Sequence, residues 1–86
     1  MPIISAFFGM IVRVFHADHA PPHVHVRYGD CEAIFEIKTG QLLHGKLPPR
    51  LEKVMREWLK LRRREVMKSW GDAQEHTAPR RVRPIE

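Results

Sequence analysis

Polar and apolar residues alternate in the first half of the chain as they do in half-buried β-strands. Val24 and Val26 alternate with polar residues over 23–28, and the period-two pattern resumes over 31–37. Between these stretches lies Gly29–Asp30, a pair typical of tight hairpin turns. The pattern therefore predicts a β-hairpin with one face in the core.

Two further stretches extend this predicted sheet. Residues 7–15 are rich in aromatic and β-branched side chains, which favour a single strand there. Thr39–Gly40 marks another turn, after which Leu42 and Leu43 predict a short last arm. We expect an antiparallel sheet of three to four strands.

The second half changes to the period of an α-helix, over residues 49–70. Pro49 suits a first helical turn, and Gly71 is expected to end or kink the helix. The apolar positions at helical spacing are Leu51, Val54, Met55, Trp58, Leu59, Leu61, Val66 and Met67. We therefore predict an α+β fold: a small antiparallel sheet packed against one long C-terminal helix. Residues 1–78 would form a single domain, and residues 79–86 a flexible basic tail.

Length and composition restrict what such a chain can do. The chain has 86 residues and a formal charge of +5, so it is expected to be one small basic domain. Cys31 has no cysteine to pair with, so neither a disulfide nor a cysteine-rich zinc site is expected. Apolar stretches are far shorter than the roughly 20 residues of a membrane helix. We expect a cytoplasmic protein with no membrane partner.

The positive charge is concentrated in one region. Residues 1–49 are neutral overall, residues 50–68 carry +5, residues 69–78 carry −2 and residues 79–86 carry +2. A cationic helix face is often simply solvated, but this one could also contact nucleic acid or an acidic protein. The sequence has no motif for reading specific bases. The candidate contact residues are Arg50, Lys53, Lys60, Arg63, Arg64, Lys68, Arg80, Arg81 and Arg83.

Histidines cluster in front of and within the predicted hairpin. His23 and His25 lie two residues apart on a strand and so point to the same face, as paired metal ligands do. A third ligand could be His16, His19 or Asp18, and we take His19, His23 and His25 as the candidate metal set. Imidazole suits a divalent transition metal such as zinc, iron, copper or nickel.

Two other roles for the histidine cluster remain open. One imidazole could act as a general acid or base on a phosphodiester, with Arg27 or Tyr28 beside it. Alternatively, the histidines could hydrogen-bond the loop that contains Pro21 and Pro22 and fix its path across the sheet. In this scaffolding role, replacing His23 would lower thermal stability without altering any binding.

The chain resembles the small bacterial domain-of-unknown-function family 4160 over nearly its whole length. The resemblance rests on MPIISAFFGMIVRVF, DHAPPHVHVRYGD, KTGQLLHGKLP, a helix with a tryptophan, and the closing RRVRPIE. The position of Val24 is frequently aromatic in that family. The motif residues that carry over are Asp18, His19, Pro21, Pro22, His23, His25, Tyr28 and Gly29.

The resemblance implies a partner more than a reaction. Genes of this family often lie beside those of a second small family, 2442, which implies a two-gene module of the toxin-antitoxin type. The family has no established catalytic residues, so none are assigned. We expect a non-enzymatic interaction module that binds a small partner protein through the basic helix and tail. DNA or RNA is a further candidate ligand of the same surface. The alternative is a histidine- or metal-dependent hydrolase or nuclease centred on His23 and His25.

Overall fold

A computed structural model describes residues 2–85 and has an α+β architecture. Five strands form one antiparallel sheet in the sequential order β1-β2-β3-β4-β5, and one long helix, α1, follows them. The strands and the helix are β1 Ile3–Phe7, β2 Met10–Arg13, β3 His23–Tyr28, β4 Cys31–Glu36, β5 Leu42–Gly45 and α1 Pro49–Gln74. The predicted fold class is confirmed, but the sheet has five strands rather than three to four.

The extra strand comes from a turn inside the apolar N-terminal stretch. Phe8 and Gly9 have φ angles of +50° and +77°, a pair of left-handed residues that suits a two-residue hairpin turn. Phe7 then pairs with Met10 across that turn. The sequence pattern predicts one strand over 7–15, and this is wrong because an aromatic residue, Phe8, occupies a turn position that polar residues usually fill.

The predicted central hairpin is confirmed, and its register fixes which side chains share a face. His25 pairs with Ile34, which in turn pairs with His44 on β5. Val24 and Val26 alternate with these positions and are fully buried. His25, Ile34 and His44 therefore form a row on the sheet face opposite the core.

The helix extends further than its sequence pattern indicates. It continues through Gly71 to Gln74, and its backbone departs from helical angles at Arg62 instead (φ −112°, ψ 18°). Its buried face, which includes Leu51, Met55 and Trp58, completes the core with the inner face of the sheet. No helix in residues 2–85 is long and apolar enough to cross a membrane.

The C-terminal segment, predicted to be a flexible tail, makes several contacts with the domain. The Val82 side chain is buried, and its backbone N–H donates to the Ile4 carbonyl at 2.7 Å. The Trp58 indole N–H donates to the Arg83 carbonyl at 2.8 Å. Ser69 donates to the Arg80 carbonyl at 2.7 Å. These contacts place residues 80–83 along the edge strand β1 and the helix α1. The flexibility of residues 79–86 in solution stays a prediction.

Candidate functional site

Backbone hydrogen bonds fasten the loop between β2 and β3 at its middle and at its last residue, and this positions Asp18. The backbone N–H of Ala17 donates to the Ala73 carbonyl near the end of α1, at 3.4 Å. At the end of the loop, the Ile37 N–H donates to the Pro22 carbonyl at 3.0 Å. The loop therefore crosses the end of the sheet, and Asp18 lies over the start of β3.

His23 and His25 both point to Asp18, as their spacing on a strand predicts. The Nε2 atoms of His23 and His25 lie 2.9 Å and 3.1 Å from the same carboxylate oxygen, Oδ2 of Asp18. The other ring nitrogen of His23, Nδ1, lies 2.6 Å from the Pro21 carbonyl oxygen. Both nitrogens of His23 thus face oxygen atoms.

The two imidazoles are held in place by aromatic neighbours. The His23 side chain is only 6% exposed and packs beside Trp70 of α1, with ring centroids 5.1 Å apart. The His25 ring packs against Phe15, with ring centroids 4.3 Å apart. This packing leaves little freedom for either ring to turn away from Asp18.

The surroundings of Asp18 favour its ionised form. Burial acts to raise the pKa of this carboxyl group. Hydrogen bonds from the His25 ring and the His19 backbone N–H lower it, and so do the charges of His23 and His25. The net effect is a pKa below the ordinary value. The His19 N–H donates to Oδ1 at 3.0 Å. Asp18 therefore presents a carboxylate to the two rings.

Three of these side chains have the arrangement of a metal centre. One ligand atom each from Asp18, His23 and His25 lies within 4.8 Å of the other two. Two ligands at about 2.1 Å from one ion lie roughly 3.0–3.4 Å apart, close to the nitrogen–oxygen separations seen here. The three residues could hold a divalent ion between them.

The two other histidines considered as third ligands do not share the Asp18 oxygen that His23 and His25 approach. The His19 side chain is 90% exposed, and its ring centroid lies 5.8 Å from that of His23, but its Nδ1 lies 3.3 Å from the other carboxylate oxygen, Oδ1 of Asp18. His16 turns to the end of α1, where its Nδ1 lies 3.4 Å from the Ala73 carbonyl and its ring stacks on His76. The structure thus groups Asp18, rather than His19, with His23 and His25.

A cleft of about 240 Å³ opens beside the three side chains. Its wall on the loop side includes Pro21, and its opposite wall is formed by Ile34, Leu43 and His44. His44 has no assigned role from the sequence, where it looks isolated. The signal that would have found it is the register, because His44 and His25 both flank Ile34 on one sheet face.

The remaining motif residue of β3 lies away from this cleft. Tyr28 is at the opposite end of the strand, and its ring lies where a side chain at Gly9 would be. Tyr28 therefore packs against the β1–β2 turn and is not brought to His23 and His25.

The candidate cations fall into two groups. The side chains of two of them make intramolecular contacts: Arg63 donates from Nε to the Ile37 carbonyl at 3.1 Å, and Arg80 forms a two-point ion pair with Asp72. The Arg80 guanidinium lowers the pKa of the Asp72 carboxyl group through this hydrogen-bonded pair. The remaining candidate cations are exposed: Arg50, Lys53, Lys60, Arg64, Lys68, Arg81 and Arg83.

Comparison with known proteins identifies a family without assigning an activity. The chain matches no curated protein and no solved structure. The profile of the family described as Domain of unknown function (DUF4160) matches residues 9–71, which include the loop, both strands of the central hairpin and most of α1. The chain therefore belongs to the DUF4160 family.

Proposed function

We propose that this protein binds one divalent transition-metal ion through Asp18, His23 and His25, and that it is a metal-dependent hydrolase of small substrates. The observation that carries the proposal is the environment of His23. Its Nδ1 faces the Pro21 carbonyl and its Nε2 faces the Asp18 carboxylate, and both of these groups only accept hydrogen bonds.

A neutral imidazole has one N–H group, so it can satisfy only one of these two acceptors. If His23 is neutral and donates from Nδ1 to Pro21, its Nε2 lone pair faces a carboxylate oxygen 2.9 Å away. A cation between the two atoms removes this repulsion. A metal-bound histidine usually donates its other ring N–H to a backbone carbonyl or a carboxylate, as His23 would donate to Pro21. In the scaffolding role, these two acceptors would instead each receive a hydrogen bond from the His23 ring.

The ligand set supports the class of reaction. Two imidazoles and a carboxylate suit zinc and other late divalent ions, and three protein ligands leave a position for water, as in catalytic zinc sites. Such an ion supplies Lewis-acid chemistry and an activated water. The described residues that line the cleft include no lysine or arginine, so a small substrate fits this site better than a nucleic-acid backbone.

Elemental analysis of untagged protein tests the metal directly. We expect about one equivalent of metal in the wild type and its loss in Asp18→Asn and in the double variant His23→Ala, His25→Ala. Asp30→Asn, in the exposed Gly29–Asp30 turn, and His76→Ala are matched controls that should retain the metal. A wild type that takes up no zinc or cobalt on titration would contradict the proposal, as would equal uptake by Asp18→Asn.

Hydrolysis is tested separately on the metal-loaded protein. We expect turnover of activated carboxylic and phosphate esters by the wild type and at least tenfold less by Asp18→Asn, since the ion would be lost. Cleavage of RNA or DNA but not of these esters would contradict the small-substrate assignment. A protein that binds metal and turns over no ester would be a metal-binding module and not a hydrolase.

A second candidate function rests on Leu61, which is 59% exposed in the middle of the cationic helix face. A shallow groove here is lined by Glu57, Lys60, Leu61 and Ile85. An exposed apolar side chain in a groove with one anionic and one cationic neighbour, Glu57 and Lys60, fits a protein segment with an apolar anchor better than it fits nucleic acid. We propose that a small partner protein binds there, as expected for a component of a toxin-antitoxin-like gene pair.

Co-purification with the product of the neighbouring gene tests this second function. We expect Leu61→Glu to abolish capture, whereas Phe8→Ser should not, because Phe8 is an exposed apolar residue at the β1–β2 turn and off this face. Binding of nucleic acid in low salt, with no protein captured, would instead assign the face to nucleic acid. Absence of both would remove this function.

A further inference from the structure

We propose that the cleft beside Asp18 is a binding site for a small oxyanion, which coordinates the metal at one end and is hydrogen-bonded by His44 at the other. This inference rests on the proposed metal site and names the kind of ligand that would occupy its open positions. The ligand class is a carboxylate or phosphate group on a small molecule.

The size of the cleft exceeds what an ion alone requires. A volume of about 240 Å³ is several times the roughly 30 Å³ that one water molecule occupies in the liquid. A smaller cavity of about 60 Å³ lies nearby, lined by both His25 and His44. The space next to the ligand atoms can therefore hold a molecule of several atoms.

The strand register places His44 at the right separation. His25, Ile34 and His44 are cross-strand neighbours, and adjacent strands lie about 4.8 Å apart. The backbones of His25 and His44 are thus roughly 10 Å apart. Their rings extend from the same face over Ile34, so a ligand bound beside His25 comes within reach of the His44 ring.

The charge and polarity of the cleft select an anion. A divalent ion held by Asp18 and two neutral imidazoles has a net charge of +1, which attracts a carboxylate or phosphate. Among the described residues that line the cleft, Asp18 is the acidic one, and its charge is already included in this net charge of the site. Pro21, Ile34 and Leu43 supply the apolar part of the cleft walls.

Cobalt(II) reports this binding because its visible spectrum changes when a coordinating water is replaced. Sodium phosphate and sodium acetate, titrated at constant ionic strength into the cobalt-loaded protein, should each change the spectrum and saturate. The anion with the higher affinity identifies the site: phosphate indicates a phosphate site, and acetate indicates a carboxylate site. If the anion also contacts His44, its affinity should fall about tenfold in His44→Ala. This is the loss expected for one hydrogen bond to a charged group.

Three variants make the result specific. His44→Ala should bind cobalt as tightly as the wild type, because His44 is not a metal ligand, and His44→Gln should recover most of the anion affinity by keeping a donor. His76→Ala removes an imidazole outside the cleft and should change nothing. Thermal melting establishes that each variant is folded.

The possible failures are distinguishable. If cobalt binds but neither anion changes its spectrum, or if His44→Ala binds both anions as tightly as the wild type, the oxyanion site is wrong and the metal site stands. If cobalt does not bind, the metal site is wrong and the oxyanion site falls with it.

Discussion

Asp18 connects the two histidines, and its ionisation links the loop to the sheet. Hydrogen bonds and nearby histidine charge lower its pKa in the folded protein, although burial opposes this shift. In the unfolded chain its pKa returns to an ordinary aspartate value of about 3.9. The unfolded state therefore binds a proton more readily than the folded state.

This difference predicts how stability depends on pH. A carboxyl group whose pKa is lowered by folding contributes stability that is fully present above the unfolded pKa. That contribution is lost as the pH falls from about 4 through the lower folded value. In the presence of a chelator, we expect the melting temperature of the wild type to fall over this acid range more than that of Asp18→Asn. Parallel acid profiles of the two proteins would contradict the role given to Asp18.

Gly45 is a second residue whose identity is fixed by its surroundings. It has a φ angle of +78°, and a Cβ atom there would overlap the backbone carbonyl oxygen of Glu32. Gly40 has nearly the same φ, +75°, but a Cβ atom there would meet no atom within 4 Å. Comparing alanine substitutions at Gly45 and Gly40 therefore separates two contributions to the loss of stability. One is the strain of a left-handed backbone, and the other is the overlap of the new Cβ atom with Glu32.

We therefore expect Gly45→Ala to lower the free energy of unfolding by roughly 2–3 kcal/mol, and Gly40→Ala by about 1 kcal/mol. Urea denaturation of both variants measures the difference. Equal losses would mean that β5 shifts away from Glu32 at little cost.

The site could be predicted from the sequence only in part. The two-residue spacing of His23 and His25 was enough to place both imidazoles on one face. The role of Asp18 was among several open possibilities, because a loop with two prolines has no periodicity from which to read a side-chain direction. His44 could not be found without the register of β4 and β5, since 19 positions separate it from His25 in the chain.

Among the secondary-structure elements, the sequence predicts those whose hydrophobic residues recur at a regular spacing. It does not predict those whose bounds depend on the backbone conformation of one turn. The central hairpin and α1 follow from alternation and helical spacing. The β1–β2 hairpin was missed because Phe8, an aromatic residue, adopts a left-handed backbone that nothing in its chemistry predicts. Gly71 remains within α1, where 26 residues of packed helix outweigh the weak helical preference of one glycine.

The C-terminal segment packs against the strand β1 and the helix α1. Val82 is buried and its backbone N–H bonds to β1, so we expect Val82→Ala to cost about 2 kcal/mol of unfolding free energy. Arg81→Ala changes the exposed neighbour and should stay within about 0.5 kcal/mol of the wild type. Chemical denaturation of both variants measures this contrast, and equal stability would indicate the flexible tail that the composition predicts.

The histidine cluster and the exposed cations lie on different elements of the molecule. The end of the sheet carries the cluster of Asp18, His23 and His25, while the exposed cations lie along α1 and the tail. A chain of 86 residues buries only about 60% of its unfolded surface, so a bound ion that joins the loop to β3 would add substantially to its stability. The proposed metal would then contribute to stability as well as to chemistry.

The protonation of His23 distinguishes this account from a purely scaffolding cluster. Long-range proton–nitrogen NMR correlations of the imidazole rings, recorded at neutral pH before and after one equivalent of Zn²⁺, observe both ring nitrogens directly. The account predicts a neutral His23 ring in the zinc-loaded protein, with its proton on Nδ1 and a large change in the Nε2 resonance. A His23 ring that remains doubly protonated, with no change at Nε2 on addition of zinc, would contradict it.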